Sequence, residues 1–231
     1  AHTKGRAVLN LDVTAGRRGG YFSYSKYGNI FLENRYTDWQ NYYPYWTLRN
    51  IWTISKYVPA ERLQIEFLNN DRNTEKYGPF APAKYDIRYL FATTMAAQPL
   101  AWMEATGLSD ENIEKLAPLV RDYKKVSHDF HTGTIMPIGE EPSGRSWTGF
   151  QSVKSPTSGY VIAYREFNSA ASKKMATRFD AGAEVSFEPV LGSAKAFRAE
   201  VDADSRVEFS LPEENSFGMW KYTVLKNPSK K

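Results

Sequence analysis

The stretch FLENRYTDWQNYYPYW, residues 31 to 46, decides the fold of this chain. It begins at the end of an apolar run, NIFLE (29 to 33), which has the length and composition of a buried strand. Polar and charged residues follow, and Pro44 then stands where a helix can begin, because its fixed backbone angle suits a first helical turn. Leu48, Ile51 and Trp52 continue at helical spacing. The stretch therefore predicts one unit of strand, loop and helix.

The segments on either side repeat this pattern. AVLNLDV (7 to 13), which ends in a glycine-rich stretch, and RLQIEFL (62 to 68) predict two more strands. A helix is expected over about 85 to 104, kinked or restarted at Pro99, and another after Ser109 or Asp110 as its cap. Strands that alternate with helices at this spacing indicate parallel βα units.

Helical periodicity stops near residue 131, and eight strand-length runs separated by turn residues follow. FRAEV and VEFSL alternate apolar with polar residues, as half-exposed antiparallel strands do. Eight such strands predict a β-sandwich, with Trp147 and Phe150 in its core or bracing the preceding units. The predicted fold class is α/β plus all-β, with βα units over residues 1 to 128 and the sandwich over 129 to 231.

The βα units are too few to close a barrel. A (β/α)8 barrel takes about 250 residues, whereas about 125 precede the sandwich. An open remnant would expose a strand edge and the apolar faces of its helices. We expect the first 128 residues to be the last part of a TIM-type (β/α)8 barrel, and the chain to be the C-terminal portion of a larger polypeptide. A small complete α+β domain is the alternative.

Composition narrows the function classes. The net charge is +4 with no basic stripe, so nucleic acid is not an expected partner, and no apolar run approaches the ~20 residues of a membrane helix. Without cysteine there is no disulfide framework, and this absence leaves the compartment open. A secreted or periplasmic location is nevertheless the expectation favoured over a cytoplasmic one. No metal site and no cofactor is expected, since the three histidines have no convergent partner and no nucleotide fingerprint appears. Aromatic residues make up 15% of the chain, which suits stacking on sugars.

The order of segments also resembles a known family. LDVTAGRRGGYF, ENRYTDW, YPYWTLRNIW, RLQIEFLNN, FATTMAAQPLAWMEATGL, SGRSWTGFQS and GYVIAYREF are similar to the C-terminal half of the α-galactosidase-like enzymes of glycoside hydrolase family 36 and its relatives. The resemblance implies a (β/α)8 barrel that carries two catalytic carboxylates and is followed by an antiparallel sandwich. It makes Asp12 to Gly20 a glycine-rich loop after one barrel strand, and NIFLENRYTD the strand and loop that supply the acid/base Asp.

The catalytic positions match that family only in part. The family shows Ser-Asp-Asn-Thr-Asp where this chain has Glu33-Asn34-Arg35-Tyr36-Thr37-Asp38, so a gapless match puts Asn34, which cannot transfer a proton, at the acid/base position. Matching the Thr-Asp pair instead selects Asp38. Glu33 is the second candidate for proton transfer because it ends the strand. The family's nucleophile lies on an earlier strand, and nothing here matches it.

Four other residues are candidates for sugar binding. Asp12 stands before the glycine-rich loop, Arg17 lies among its glycines, and Arg35 and Trp39 flank the proposed acid/base region. Two of these four have a plainer alternative, Asp12 as a satisfied strand end and Arg17 in a solvated loop. The plainer alternative for the acid/base candidate Asp38 is a helix cap.

The predicted function is retaining hydrolysis of α-glycosides, which needs two carboxyl groups about 5 to 5.5 Å apart. The expected partners are a carbohydrate and the N-terminal part of the barrel, and the chain alone is expected to be inactive. A non-catalytic carbohydrate-binding or structural module, or an inactive relative of the same fold, is the alternative.

Overall fold

The computed structural model describes residues 6–7, 9–12, 28–32, 43–72, 74–75, 78–101 and 106–228. Within these ranges, no helix combines the length and hydropathy needed to cross a membrane.

The first part of the chain forms a four-stranded parallel sheet with strand order β1-β2-β3-β4. Its strands are β1 (Leu9–Asp12), β2 (Gly28–Phe31), β3 (Leu63–Glu66) and β4 (Gln98–Leu100). The accompanying helices are α1 (Pro44–Ile54), α2 (Ile87–Ala92) and α3 (Asp110–His131). The three predicted strands are thus confirmed as adjacent and parallel. Pro44 is the first residue of α1, as its fixed backbone angle predicted.

The predicted helix over 85 to 104 is wrong. Among the described residues of this range, α2 is the one α-helix, and the chain turns before entering β4, where Pro99 lies in register with Ile65 of β3. Thr93 is the C-cap of α2, and the hydroxyls of Thr93 and Thr94 donate to the carbonyls of Leu90 and Phe91. Proline removes a helical hydrogen bond but is tolerated at a sheet edge. The residue read as a kink therefore belongs to a fourth parallel strand.

Helix α3 begins as predicted. Ser109 holds the N-cap position and its hydroxyl accepts from the backbone N–H of Asn112, while Asp110 and Glu111 lie in the first turn, where the helix dipole favours acidic side chains. The helix runs past Pro118 to His131.

The second part is antiparallel. All eight predicted strands are present: β5 (Thr134–Gly139), β6 (Trp147–Ser155), β7 (Ser158–Arg165), β8 (Ser172–Ala176), β9 (Glu184–Gly192), β10 (Phe197–Glu200), β11 (Arg206–Ser210) and β12 (Ser216–Lys226). Six form one sheet in the order β10-β9-β12-β7-β6-β5, and β11 pairs with β8 in a second.

The six-stranded sheet is buried on both faces. Trp147, Val161 and Trp220 point toward the two-stranded sheet and form a core with Phe209. Phe150 and Tyr164, on the opposite face, join the core of the helices and the parallel sheet. Of the two roles predicted for Trp147 and Phe150, each residue therefore has one: Trp147 packs inside the sandwich, and Phe150 packs the sandwich against the helices. The division at residue 128 stays a prediction, since one hydrophobic core runs across it.

Candidate functional site

Most of the residues predicted from sequence as a site lie outside the described part of the chain. These are Arg17, Glu33, Arg35, Asp38 and Trp39. Asp12 is the last residue of β1, which agrees with its predicted place at a strand end. The N-cap of α1 is Tyr43, whose own side chain makes no capping hydrogen bond. The roles of these six residues therefore remain predictions.

The structure shows a further carboxylate, Glu66, at the C-terminal edge of the parallel sheet, where Asp12 also lies. The parallel strands end at Asp12, Phe31, Glu66 and Leu100, so these residues mark the edge where parallel α/β folds place their ligands. The side chain of Glu66 is 1% exposed. Sequence reasoning missed it because RLQIEFL was interpreted only as a strand. The sequence does contain an indication, namely a carboxylate inside an apolar run, since buried carboxylates are rare and usually paired or functional.

The parallel sheet has two unlike faces. Ile30, Leu63 and Ile65 are fully buried in the core shared with the helices. Strand alternation puts Gln64 and Glu66 on the other side, with Phe31 in register with Gln64. Parallel sheets are usually apolar on both faces because both are covered. A face that carries an amide and a carboxylate is thus the chemically distinctive side of this sheet.

A polar network fixes the loop that follows β3. Asp71 accepts hydrogen bonds from the Ser109 backbone N–H at 2.7 Å and from Asn112 Nδ2 at 2.8 Å. Asn112 Nδ2 also donates to Asn70 Oδ1, and Asn70 Nδ2 donates to the Tyr85 carbonyl. Burial pushes the pKa of Asp71 upward, but the hydrogen bonds outweigh it and the pKa is lowered. The network therefore holds an ionised carboxylate and ties this loop to the start of α3.

An aromatic cluster lies beside the start of α1. The rings of Tyr43 and Tyr45 stack with centroids 5.8 Å apart, and Phe80 meets both edge to face. Gly144 of the sandwich touches this cluster, since a Cβ there would lie 2.7 Å from the Phe80 ring, and its φ of +86° suits glycine. Tyr43 stays 47% exposed. Its ring offers the apolar surface that ligand sites use.

The helices and the sandwich meet at a buried carboxylate. Oε2 of Glu166 accepts from the backbone N–H groups of Ser143 at 3.0 Å and Ser146 at 2.7 Å. Its Oε1 is buried and has no hydrogen-bond partner among the residues described. Burial raises the pKa of Glu166 despite these bonds and the nearby Arg49 guanidinium. Arg49 reaches the same loop from α1, donating from Nε to the Pro142 carbonyl at 2.7 Å. Glu166 and Arg49 thus fix loop 141–146 against the helices.

Neither the histidines nor the acidic residues build a metal centre in the described ranges, where no group of three His, Cys, Asp or Glu side chains converges. His131 is buried at the end of α3, with Nε2 3.2 Å from the Met95 carbonyl and Nδ1 3.4 Å from Gln98 Nε2. Burial lowers the pKa of His131 to about 4, so the ring is neutral at pH 7 and acts as a packing residue.

Comparison with known proteins adds a structural relative. No family model matches the chain, and neither does any curated protein. A solved structure, the galactosidase domain of alpha-galactosidase-sucrose kinase, AgaSK, matches with a TM-score of 0.56 at 16% sequence identity. The chain resembles a galactosidase domain in fold. The match covers 86% of this chain and 26% of the AgaSK chain, so this chain spans about a quarter of that structure's length.

This similarity confirms the coarser part of the sequence interpretation. A distant galactosidase-like fold is supported over most of the chain, and the eight antiparallel strands are compatible with the β-rich C-terminal domain of such a protein. At 16% identity the similarity is one of fold alone.

Proposed function

We propose that this chain is the C-terminal portion of an α-galactosidase-like glycoside hydrolase that acts with retention on α-glycosides. The observation that carries the proposal is the edge of the parallel sheet, where Asp12 and the buried Glu66 end two strands of a galactosidase-like fold. The comparison supports the fold, and the chemistry is inferred from the family resemblance of residues 29 to 38, the segment that carries Glu33 and Asp38.

An incomplete barrel accounts for the sheet. Strands β1 and β4 occupy its two ends, and among the described strands neither outer edge has a partner. Unpaired edges are normally covered or closed, and closure into eight strands would satisfy both. The N-terminal part of the barrel is therefore the proposed partner of this sheet.

The proposed chemistry divides the two catalytic groups between the two parts of the barrel. Asp38 is the acid/base, with Glu33 as the alternative, and the nucleophile lies on the N-terminal part, so this chain is inactive alone. A guanidinium at Arg35 would favour the ionised form of Asp38, which suits the base step that releases the sugar. Asp12, Arg17 and Trp39 contact sugar hydroxyls and the sugar ring.

The test is hydrolysis of an aryl α-galactoside by the polypeptide as its gene encodes it. Replacing the true acid/base in Asp38→Asn or Glu33→Gln should lower kcat/KM by about 10²- to 10⁴-fold, the usual contribution of general acid/base catalysis. Asp180→Asn, at an exposed position in the sandwich, is the matched control and should leave the rate unchanged. Unchanged rates in both test variants would remove the acid/base assignment.

A non-catalytic role is the second candidate, and the 26% coverage of AgaSK favours keeping it, because a segment of that size can serve as a module. Calorimetric titration with oligosaccharides, done on the polypeptide as its gene encodes it and read together with its turnover, separates the two. Binding with no turnover of any α-glycoside would identify a carbohydrate-binding module or an inactive relative. Neither binding nor turnover would leave a structural role.

A further inference from the structure

Loop 141–146 of the sandwich contacts the aromatic cluster of Tyr43, Tyr45 and Phe80. The two tyrosines lie at the start of α1, after β2, and Phe80 lies in the segment between β3 and α2. Both segments leave the parallel sheet at the carboxyl ends of its strands, which is the side where such folds bind their ligands. Because Gly144 packs against Phe80, the sandwich meets the parallel half on that side.

The side chain of Arg145 is held at this junction by two rings. Its Cζ lies 5.6 Å from the centroid of Phe80 and 5.2 Å from the centroid of Phe167, which are cation–π contacts. Its backbone is fixed as well, since Asn168 Nδ2 donates to the Arg145 carbonyl at 2.6 Å. The N–H of Phe167 donates to the Gly144 carbonyl at 3.0 Å. The guanidinium is therefore preorganised before a ligand binds.

The donors of Arg145 are available to a ligand. Arg145 is exposed, and its guanidinium makes no ion pair or hydrogen bond with the part of the chain that the structure describes. Arg49 differs, although its Cζ also lies over a ring, that of Tyr45. Its Nε donates to the Pro142 carbonyl and lies 3.5 Å from Glu141 Oε1. Arg49 thus holds the loop, whereas Arg145 offers N–H groups that only an oxygen-bearing ligand can use.

The rings beside Arg145 favour a ligand that also has an apolar face. Tyr43 is 47% exposed, and its ring is braced by Tyr45 and by Phe80, whose centroid lies 6.4 Å away. Phe80 contacts both Tyr43 and Arg145, so an apolar surface and a set of donors adjoin the same ring. The Glu141 carboxylate on the same loop favours a neutral ligand over an anion. A sugar has the matching surfaces, namely a C–H face and hydroxyl oxygens.

We propose that Arg145 and Tyr43 bind the leaving-group side of a neutral oligosaccharide substrate, so that the sandwich takes part in substrate selection. The inference rests on the proposed glycoside hydrolysis. Tyr43 follows the proposed acid/base Asp38 by five residues, a span of at most about 18 Å, which the sugars beyond the reacting bond can cover. The C–H face of one such sugar lies on the Tyr43 ring, and its hydroxyl oxygens accept hydrogen bonds from Arg145. Both residues bind the leaving group and leave the reacting bond to the carboxylates.

The test compares two substrates of the polypeptide as its gene encodes it. Raffinose is an α-galactoside with a disaccharide leaving group, whereas α-galactosyl fluoride has no leaving-group sugar. Arg145→Ala should lower kcat/KM for raffinose by about 10- to 100-fold, the range for lost hydrogen bonds to a charged group. The same variant should change kcat/KM for the fluoride by less than about twofold, because the fluoride does not reach this subsite. Arg198→Ala, which removes an exposed guanidinium elsewhere in the sandwich, should leave both values unchanged.

A second pair of variants tests the ring. Tyr43→Ala should lower kcat/KM for raffinose by at least about threefold, because apolar contact with the sugar is lost. Tyr43→Phe keeps the ring and should stay within about twofold of the parent. The subsite is overturned if Arg145→Ala leaves the raffinose value unchanged, or if it lowers the values for both substrates equally.

Failure of the proposed hydrolysis can be told apart from failure of the subsite. If the parent turns over neither substrate, the proposed hydrolysis is wrong. Whenever raffinose is not hydrolysed, its calorimetric titration decides the subsite. Binding that Arg145→Ala weakens by about tenfold or more supports the subsite. Binding that the variant leaves unchanged, or no binding to the parent, overturns it.

Discussion

The two large sheets of this chain use their faces differently. The parallel sheet is apolar toward the helices, through Ile30 and Ile65, and carries Gln64 and Glu66 on the other face. The six-stranded antiparallel sheet buries both faces under apolar side chains. The parallel sheet therefore has one face with polar side chains that can take part in chemistry, whereas both faces of the antiparallel sheet contribute to packing.

The difference teaches where stability and function lie. The antiparallel sheet stands between the small sheet and the helices, so it fixes the position of the helices that frame the parallel sheet. None of the hydrogen bonds, ion pairs or ring contacts given above joins a side chain of the antiparallel sheet to a residue at the ends of the parallel strands. Changes on either of its faces should thus lower stability, while changes at the strand ends should alter activity.

The largest expected effect comes from removing a ring on either face of the antiparallel sheet. Phe150→Ala and Phe209→Ala each empty a fully buried site, on the helical side and on the small-sheet side. Each should lower the free energy of unfolding by about 3 to 5 kcal/mol, the usual cost of a Phe-to-Ala cavity. Chemical denaturation followed by circular dichroism measures it.

The matched control is Leu225→Ala in β12 of the same sheet, which is 47% exposed and should change stability by no more than about 0.5 kcal/mol. A large loss for Phe209→Ala with almost none for Phe150→Ala would contradict the two-faced core. The sandwich would then be stable without the helices.

The sandwich was the easier half to predict from sequence. Its strands are separated by turn residues, and runs such as VEFSL alternate in a way that only a half-exposed strand explains. In the parallel half, the strands were found but β4 was not. Three residues, with Pro99 at their centre, form it, and local propensity cannot distinguish such a strand from a kinked helix because its partner β3 lies far away in sequence.

The candidate site was predictable only in outline. The edge of the sheet could be foreseen from strand order, and Asp12 ends β1 as expected. The sequence showed Glu66 only as a carboxylate inside an apolar run, because its burial and the polar face that it shares with Gln64 both depend on strand pairing.

An intermediate effect is expected at the hydrogen bond that joins the two halves. The hydroxyl of Tyr164 in β7 donates to the Ala92 carbonyl at the end of α2 at 2.7 Å. Tyr164→Phe removes this bond but not the ring, and the carbonyl keeps the Met95 N–H at 3.0 Å. Stability should fall by about 0.5 to 1.5 kcal/mol. Tyr57→Phe, at a tyrosine that is 66% exposed, should have almost no effect, and an equal loss in both would refute a specific link.

The smallest expected effect is a change in pH dependence at the junction. Burial raises the pKa of Glu166 above its ordinary value of 4.5. A carboxyl whose pKa is raised by folding contributes stability below its unfolded pKa and loses that contribution as pH rises through the folded value. Glu166→Gln keeps an oxygen that accepts from Ser143 and Ser146 but carries no charge. Relative to the parent, this variant should therefore be more favourable at about pH 8 than at about pH 4.

Denaturant unfolding at the two pH values measures this difference directly. Glu188→Gln, at an exposed position of β9, controls for the loss of one negative charge and should leave the pH dependence close to that of the parent. If Glu166→Gln shifts stability equally at both pH values, the buried carboxylate is not what couples pH to the junction. Loop 141–146 would then be held mainly by Arg49, whose bond to the Pro142 carbonyl does not change with protonation of Glu166.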